Sequence, residues 1–283
     1  MTHSDRPRFA VIGNPVKHSR SPAIHRQFSL QTGIDLDYDL LEAPVDQFVA
    51  TTQAFFTQGG CGLNVTVPFK EQAWQLAQEN LSTRARQAQA VNTLWVRDGA
   101  LHGCNTDGVG LVSDLKRLGI DLKQAHILMI GAGGAARGVI GPLLEAGCAR
   151  LHIVNRTAQR AYALLGEWSE QSGEPVPGLT AGGLPEAPTP GGWDLVINAS
   201  ASSLAHTAPE VPASLYATHA WAYDMMYAAQ PTPFMQQALQ DGARHVSDGL
   251  GMLVGQAAES FAIWHGVKPD TAPVLASLRL ELS

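Results

Sequence analysis

Two short polar segments contain the residue types that an enzyme needs to move a proton. In the first, Asn64–Lys70 (NVTVPFK), Pro68 ends a strand pattern and Lys70 follows in the first turn of a predicted helix. A lysine is unfavourable beside the positive end of a helix, which indicates a role other than helix stability. In the second, Asn105–Gly108 (NTDG), Asp107 opens another predicted helix. A lysine and an aspartate that met at a ligand site could serve the reduction of a carbonyl group.

Structural alternatives stay open for these residues at this point. Taken alone, Lys70 is more often a surface lysine, and Asp107 could be the N-cap of its helix. Asn92, in the segment AVNT, follows a strand-like residue and could simply satisfy the backbone of a turn.

A pair of serines precedes the first predicted helix, in the segment His18–Pro22 (HSRSP). Pro22 favours an extended conformation for Ser21 and suits the first position of a helix. Ser21 is therefore a natural N-cap. In an extended segment, residues two apart point to the same side, so Ser19 and Ser21 could instead offer two hydroxyl groups to one carboxylate.

A glycine-rich loop lies between a strand pattern and a helix pattern. The apolar run 125–130 (AHILMI) leads directly into GAGGAA at 131–136, which matches G-x-G-x-x-G/A with Ala136 in the third place. Gly131 permits the tight turn, and Gly133 lets the backbone approach a pyrophosphate. A loop that merely packs well would show the same letters. The strand before it and the helix after it favour a dinucleotide site, with the pyrophosphate at the helix N-terminus.

The next strand pattern indicates which dinucleotide is bound. An NAD site usually places an acidic residue about 20 residues beyond the glycines, where it holds the ribose 2′-hydroxyl. Here the strand ends in Asn155, Arg156 and Thr157, with Arg160 one turn further on and no acidic residue in that place. A guanidinium suits a phosphate as a permanently charged, bidentate partner, so the sequence predicts NADP. The alternative is a solvated arginine at a helix start that Thr157 caps.

Strand-like and helix-like segments alternate along the whole chain, which predicts an α/β fold with parallel, covered sheets. In the first half, the predicted strands are 8–13, 36–42, 62–67 and 91–96, and the predicted helices are 22–32, 44–58 and 69–79. In the second half, the predicted strands are 125–130, 151–155, 194–198 and 220–225, and the predicted helices are 108–118, 135–146, 158–169 and 233–241. Segment 173–192 is a predicted loop with room for one short strand. Helices 250–265 and 270–280 follow, and Gly266 can end the first of them.

Composition narrows the class of protein. The 283 residues are 45% hydrophobic and carry a net charge of −6, which suits a sizeable core and gives no attraction to nucleic acid or anionic membranes. The first residues lack the apolar core of a signal peptide, and no apolar run approaches a membrane span. The three cysteines are widely spaced and the histidines lack ligand spacing. We therefore expect a cytoplasmic protein with no metal site.

Together these segments resemble the shikimate dehydrogenase family along nearly the whole chain. Each stretch is moderately specific by itself, and their joint presence in this order is very specific. The matching stretches are NPVKHSRSPAIH, GLNVTVPFKE, AVNTL, NTDGVG, GAGGAARG, NRT, INAS, YDMMY, TPF and DGLGMLVGQAAESF.

The resemblance implies a two-domain protein with a cleft between the domains. The expected α/β substrate domain covers 1–106 with 249–283 returning to it, and the expected Rossmann-type NADP-binding domain covers 107–248. The implied catalytic pair is Lys70 and Asp107. The residues implied around the substrate are these two together with Ser19, Ser21, Asn64, Thr66, Asn92, Tyr227 and Gln256. The implied contacts with NADP(H) are Gly131, Ala132, Gly133, Gly134, Ala135, Ala136, Arg137, Asn155, Arg156, Thr157, Arg160, Met225 and Gly249.

The reaction implied is the NADPH-dependent, reversible reduction of 3-dehydroshikimate to shikimate in aromatic amino acid biosynthesis, by a monomer or homodimer. In it, Lys70 would stabilise charge on the ketone oxygen and donate a proton. Asp107 would favour the charged form of Lys70, and burial would oppose it. Two alternatives remain, an NAD-preferring quinate/shikimate dehydrogenase and a non-catalytic NADP-sensing regulator on the same scaffold.

Two positions depart from the family pattern. Cys104 precedes NTDG where an acidic, aromatic or other polar residue is more familiar, and Ser203 stands where the stretch after INAS usually has a glycine. The second departure affects the expected shape of a loop at the cofactor.

Overall fold

The computed structural model describes residues 6–200, 202–205 and 207–282, with the backbone alone at 204 and 205. The N-terminal residues 1–5 on which the expectation about a signal peptide partly rests, and residue 283 of the returning segment, lie outside the described residues. The chain divides into two compact units, of which unit 1 is Met1–Gly110 with Val254–Ser277 and unit 2 is Leu111–Leu253 with Leu278–Ser283. The divisions at 110/111 and 253/254 fall inside helices, a few residues from the boundaries that the resemblance implies, whereas residues from Leu278 onward group with unit 2 and not with unit 1. The functional assignment of the domains stays a prediction.

Unit 1 contains a five-stranded sheet in the order β2-β1-β3-β4-β5. Its strands are β1 (Arg8–Gly13), β2 (Asp37–Glu42), β3 (Gly60–Val65), β4 (Thr93–Arg97) and β5 (Ala100–Cys104). The first three strands are parallel, whereas β3–β4 and β4–β5 are antiparallel. The prediction of a wholly parallel sheet was therefore wrong here. Asp98 and Gly99 adopt positive φ values of 52° and 77° and close a tight hairpin, which makes β4 and β5 antiparallel.

The helices wholly in unit 1 are α1 (Ser21–Thr32), α2 (Phe48–Thr57), α3 (Lys70–Leu76) and α4 (Thr83–Ala88). α2 begins four residues later than the sequence predicts, and α4 was not predicted. Ser82 caps α4 by accepting a hydrogen bond from the Ala85 N–H. An apolar cluster from the strands and helices, which includes Ile12, Leu63 and Phe69, forms the core that holds the strand ends in place.

Unit 2 contains a six-stranded, wholly parallel sheet in the order β11-β10-β9-β6-β7-β8. Its strands are β6 (His126–Ile130), β7 (Arg150–Asn155), β8 (Leu179–Gly183), β9 (Trp193–Asn198), β10 (Tyr216–Asp224) and β11 (His245–Asp248). The chain starts at a central strand, winds to one edge and returns to wind to the other. This is the strand order of a dinucleotide-binding Rossmann sheet, in which ligands bind beyond the carboxyl ends of the strands.

The remaining helices are α5 (Asp107–Arg117), α6 (Gly134–Glu145), α7 (Ala158–Ser172), α8 (Pro233–Gln240), α9 (Leu250–His265) and α10 (Ala272–Leu282). The apolar runs that predicted central strands are buried, with Ile127, Met129 and Ile153 fully inaccessible. Gly266 ends α9 with φ 72°, as its position predicts. Within the described part of the chain, no helix combines the length and apolarity that crossing a membrane requires.

Candidate active site

Lys70 and Asp107 form an ion pair within unit 1. Each is the first residue of its helix, Lys70 in α3 shortly after β3 and Asp107 in α5 shortly after β5. Lys70 Nζ donates to Asp107 Oδ2 at 2.6 Å, and the two side chains are only 20% and 8% exposed. The Asp107 N–H donates to Asn105 Oδ1 at 3.0 Å, while the Asp107 carboxylate turns to side chains outside its helix. The pair is therefore positioned by the two helix starts and largely shielded from water.

Asn92 orients the Asp107 carboxylate. Its Nδ2 donates to Asp107 Oδ1 at 2.8 Å, so the second carboxylate oxygen is also bound. The amide of Asn92 is fixed in turn, because its Oδ1 accepts from the Thr106 N–H at 2.9 Å and from Thr93 Oγ1 at 2.9 Å. Asn92 is 2% exposed. A fully bonded, buried amide of this kind holds a neighbouring carboxylate in one orientation.

Further predicted residues belong to the same buried network. Asn64 Nδ2 donates to Ser260 Oγ at 3.0 Å, and Tyr38 Oη donates to Asn64 Oδ1 at 2.7 Å. Gln256 Oε1 lies 3.4 Å from Asn92 Nδ2, which brings α9 to the pair. Thr66 is half-buried and follows β3 directly. The sequence missed Tyr38, Thr93 and Ser260, although Thr93 and Ser260 stand inside the stretches AVNTL and GQAAESF.

Ser19 and Ser21 lie together, but not through the extended segment that the sequence predicts, because Arg20 between them has helical dihedral angles, φ −85° and ψ −3°. Ser19 Oγ donates to Ser21 Oγ at 3.1 Å. The N-cap interpretation of Ser21 was wrong, because α1 begins at Ser21 itself and Arg20 precedes it without a side-chain cap. Burial raises the pKa of Tyr38 well above its usual value, and a hydrogen bond with Ser21 opposes the rise. Tyr38 therefore stays a protonated donor that joins the serines to Asn64.

The glycine loop in unit 2 has the backbone that a dinucleotide requires. Gly131 adopts φ +117°, and a Cβ there would lie 3.0 Å from the backbone of Ala199 and Ser200. At Gly133 and Gly134 an added Cβ would meet no atom within 4 Å, so a ligand can approach the backbone. Gly134 begins α6, whose free N–H groups favour an anion.

A cavity of about 490 Å³ lies beside this loop and contains the arginines that predict NADP. Arg156 and Arg160 are exposed, and neither side chain has a hydrogen bond or ion pair with another described residue. Thr157 is the N-cap residue of α7, but its side chain makes no capping bond. The cavity is lined by Ile130, Gly131, Asn155, Arg156, Thr157, Arg160, Leu184, Ser200, Ser202, Thr207, Ala208, Pro209 and Glu210. The sequence missed the serines and Glu210, and the stretch INAS is the signal that points to Ser200.

The other predicted cofactor residues fall into two groups. Met225 and Gly249 are in close contact, because a Cβ at Gly249 would lie 2.2 Å from the Met225 carbonyl oxygen. Arg137 is bound to Glu167 on α7, with Nη2 donating to Oε1 at 3.0 Å. Tyr227, which the resemblance implies near the substrate and not at the cofactor, is half-buried in the segment after β10.

A larger cavity of about 670 Å³ lies against α1 and β2 and contains none of the predicted site residues. Its lining mixes cations and anions, including Arg26, Asp37 and Asp39, and it carries no constellation for the chemistry described above. Cys61, Cys104 and Cys148 are free. Among residues 6–200, 202–205 and 207–282, no cluster of three or more histidine, cysteine or acidic side chains is arranged to hold a metal.

The doubly wound sheet with its glycine loop and the buried lysine–carboxylate pair define an oxidoreductase that uses a dinucleotide. Three family descriptions match the chain, namely the shikimate dehydrogenase substrate binding domain at 11–94, shikimate/quinate 5-dehydrogenase at 114–179 and the shikimate 5′-dehydrogenase C-terminal domain at 249–279. Shikimate dehydrogenase (NADP(+)) of Bordetella petrii is 66% identical over 279 residues, covering 99% of this chain and 97% of the relative.

Another enzyme of the same name, from Cupriavidus necator, is 52% identical and covers 97% of this chain and 94% of its own. The solved structure of shikimate 5-dehydrogenase from Thermus thermophilus, in complex with NADP(H) and shikimate, superposes with a TM-score of 0.85 at 35% identity. That match covers 98% of this chain and 100% of the Thermus thermophilus chain. The chain belongs to the shikimate dehydrogenase family.

Proposed function

We infer that this protein is an NADP-dependent oxidoreductase that interconverts 3-dehydroshikimate and shikimate in aromatic amino acid biosynthesis. The observation that carries this proposal is the buried pair of Lys70 and Asp107, 2.6 Å apart and fixed by Asn92. The names of the close relatives specify the same substrate and cofactor.

The residues of unit 2 fit NADP(H). The open backbone at Gly133 and Gly134 and the start of α6 would hold the pyrophosphate. Arg156 and Arg160 would hold the 2′-phosphate as bidentate, permanently charged donors, and no acidic side chain takes the place that an NAD site reserves for one. Met225 and Gly249, which pack on each other, would contact the nicotinamide end.

When bound, the reduced nicotinamide supplies a hydride to the ketone carbon. Lys70 stabilises the negative charge that develops on the ketone oxygen and gives that oxygen a proton, so that one hydride and one proton together convert the ketone to an alcohol. Asp107 holds the ammonium in place, and Asn92 keeps the carboxylate from rotating away. In the reverse direction Lys70 takes the proton back.

The polar residues around this pair would position the substrate. Ser19 and Ser21 offer two hydroxyl groups, 3.1 Å apart, to the substrate carboxylate. Thr66, Asn92 and Gln256, all in unit 1, would contact the ring hydroxyls, and Asn64 of the same unit would also contact the substrate. These residues would fix the orientation of the substrate relative to Lys70 and Asp107, which catalysis by a positioned pair requires.

An absorbance assay at the NADPH band tests the proposal. The purified protein is supplied with shikimate or quinate, each with NADP or NAD. We expect rapid reduction of NADP with shikimate and much slower reaction in the other three combinations. Faster reaction of quinate with NAD would identify the quinate/shikimate alternative, and binding of NADP without turnover would identify a sensor.

We also propose a cytoplasmic location, supported by the three free cysteines, and a monomeric or homodimeric state. Light scattering on the purified protein distinguishes these two states from larger assemblies.

A further inference from the structure

The last residues of two neighbouring strands of unit 2 form a buried polar pair. Asn198 ends β9 and Asp224 ends β10, the two are register partners, and both are 0% exposed. Asn198 Nδ2 donates to Asp224 Oδ1 at 3.1 Å. Burial of a carboxylate costs folding free energy unless its oxygens accept hydrogen bonds. The donors around Asp224 therefore show which segments of the chain it holds together.

Asp224 joins three separate segments through its remaining bonds. Its Oδ2 accepts from Ser203 Oγ and from Thr232 Oγ1, both at 2.6 Å, and its Oδ1 accepts from the Met226 N–H at 3.1 Å. Thr232 is the N-cap of α8. One carboxylate therefore fixes the segment after β9, the segment after β10 and the start of a helix.

The segment after β9 contributes Ser200 and Ser202 to the lining of the cavity that contains Arg156 and Arg160, and these two serines are called the serine wall. Ser200 donates to Asn198 Oδ1 through both its N–H, at 3.1 Å, and its Oγ, at 2.6 Å. The backbone at Ser200 packs against Gly131 so closely that only a glycine fits there. Ser200 and Ser202 line the cavity itself. Asn198 holds this wall at one end, and the bond from Ser203 to Asp224 holds it at the other.

We propose that Asp224 and Ser203 are positioning residues for NADP(H), which hold the serine wall at the spacing that the 2′-phosphate requires. This inference rests on the proposed function, because it takes the cavity to be the phosphate site. Ser203 stands where the family pattern has a glycine, and a glycine has no hydroxyl group to make this bond. The short bond between Ser203 and Asp224 is thus a feature of this chain rather than of the family pattern.

The test compares the dissociation constants of NADPH and NADH for the intact protein and its Ser203→Ala variant, measured by calorimetry without substrate. Loss of one hydrogen bond to a carboxylate should weaken NADPH binding by roughly three- to tenfold. NADH binding should change much less, because NADH lacks the phosphate that meets this wall. Ser203→Gly should weaken NADPH further, since it also frees the backbone.

Asp224→Asn should give a larger loss than Ser203→Ala, because it disturbs every donor at once. Ser169→Ala is the matched control, since Ser169 Oγ also donates a hydrogen bond, at 3.0 Å to the Leu165 carbonyl, but lies within α7 nine residues beyond Arg160. The control should leave both constants unchanged.

If the Asp224→Asn variant does not fold, Ser203→Ala alone tests the proposed positioning role. An unchanged NADPH constant for Ser203→Ala, or an equal loss for NADPH and NADH, would overturn the positioning role. If the intact protein itself shows no preference for NADPH over NADH, the proposed function fails instead, so the two failures are distinguishable.

Discussion

The polar residues of unit 1 and the arginines of unit 2 differ in how completely the protein satisfies them. Lys70, Asp107 and Asn92 are shielded from water and hydrogen-bonded to one another. Arg156 and Arg160 are exposed and have no side-chain partner among the described residues. The first group is organised before any ligand arrives, which is what stabilising a transition state requires. The second group is left for a ligand to neutralise. Substitutions in the group around Lys70 should therefore reduce turnover. Substitutions of Arg156 or Arg160 should reduce the affinity for NADPH.

Replacement of Lys70 should produce the largest effect. We expect Lys70→Ala to lower kcat by about 10³-fold, because it removes both the proton donor and the charge that stabilises the oxygen. Affinity for NADPH should stay unchanged. Lys116→Ala, which removes an exposed lysine on α5, is the control for the loss of a positive charge. Near-normal turnover by a folded Lys70→Ala variant would refute the role of Lys70.

Replacement of Asn92 should reduce turnover less, because the ion pair itself remains. We expect Asn92→Ala to lower kcat by roughly 10- to 100-fold, through misorientation of Asp107. Kinetics with saturating NADPH measure this effect. Asn80→Ala is a suitable control, because Asn80 Nδ2 donates to a backbone carbonyl, that of Leu101, at 3.3 Å. A change confined to the KM for NADPH would show that Asn92 acts elsewhere.

Replacement of Arg156 should test the other side of the comparison. We expect Arg156→Ala to raise the KM for NADPH by about 10- to 100-fold, the range for a lost charge-assisted hydrogen bond, with kcat nearly unchanged. The KM for NADH should move little. Arg244→Ala, which removes another exposed arginine of unit 2, should leave both values unchanged. Equal losses with NADPH and NADH would mean that Arg156 does not contact the 2′-phosphate.

A smaller effect should appear in the acid stability of unit 1. Burial, aided by the charge of His265, lowers the pKa of His25 from 6.5 to about 3. In the unfolded chain His25 therefore binds a proton below pH 6.5, whereas in the folded chain it stays neutral until the pH falls to about 3. The free energy of unfolding should fall as the pH drops through this window, by about 2 kcal/mol from this residue at pH 5.

The check on His25 is urea denaturation of the His25→Phe variant at pH 7 and pH 5. The variant should lose less stability between these two values than the unaltered protein does. His126→Gln, a change at an exposed histidine, should lose as much as the unaltered protein. An acid sensitivity that His25→Phe leaves unchanged would place the responsible groups elsewhere.

Local patterns were sufficient to predict most of the sheet in unit 2. The central strands β6, β7 and β9 are largely apolar runs, and the helices α6, α7 and α8 follow β6, β7 and β10 as the periodicity predicts. The hairpin of β4 and β5 was missed although Asp98-Gly99 is a strong turn signal, because the strands that it joins are short and half-exposed. β11 was missed because it has four residues and little apolar character.

The candidate site was predictable where one motif supplies the residue and its neighbours. Ser19 and Ser21 are two residues apart, so their proximity is local, although the helical conformation of Arg20 brings it about and not the extended backbone that the sequence predicts. The bonds from Tyr38 to Asn64 and from Ser203 to Asp224 join residues 26 and 21 positions apart. Such partners depend on strand order and register, which the periodicity of a sequence does not encode.

The central claim is that Lys70 sets the rate of turnover and Arg156 sets the affinity for NADPH. The most direct test is a double-mutant cycle with Lys70→Ala and Arg156→Ala, in which kcat/KM for NADPH is measured for all four proteins. If turnover and cofactor affinity are set by separate groups, the two losses in activation free energy should add to within about 0.5 kcal/mol. A coupling well above 1 kcal/mol would contradict this account, because lysine and arginine would then act on the same step.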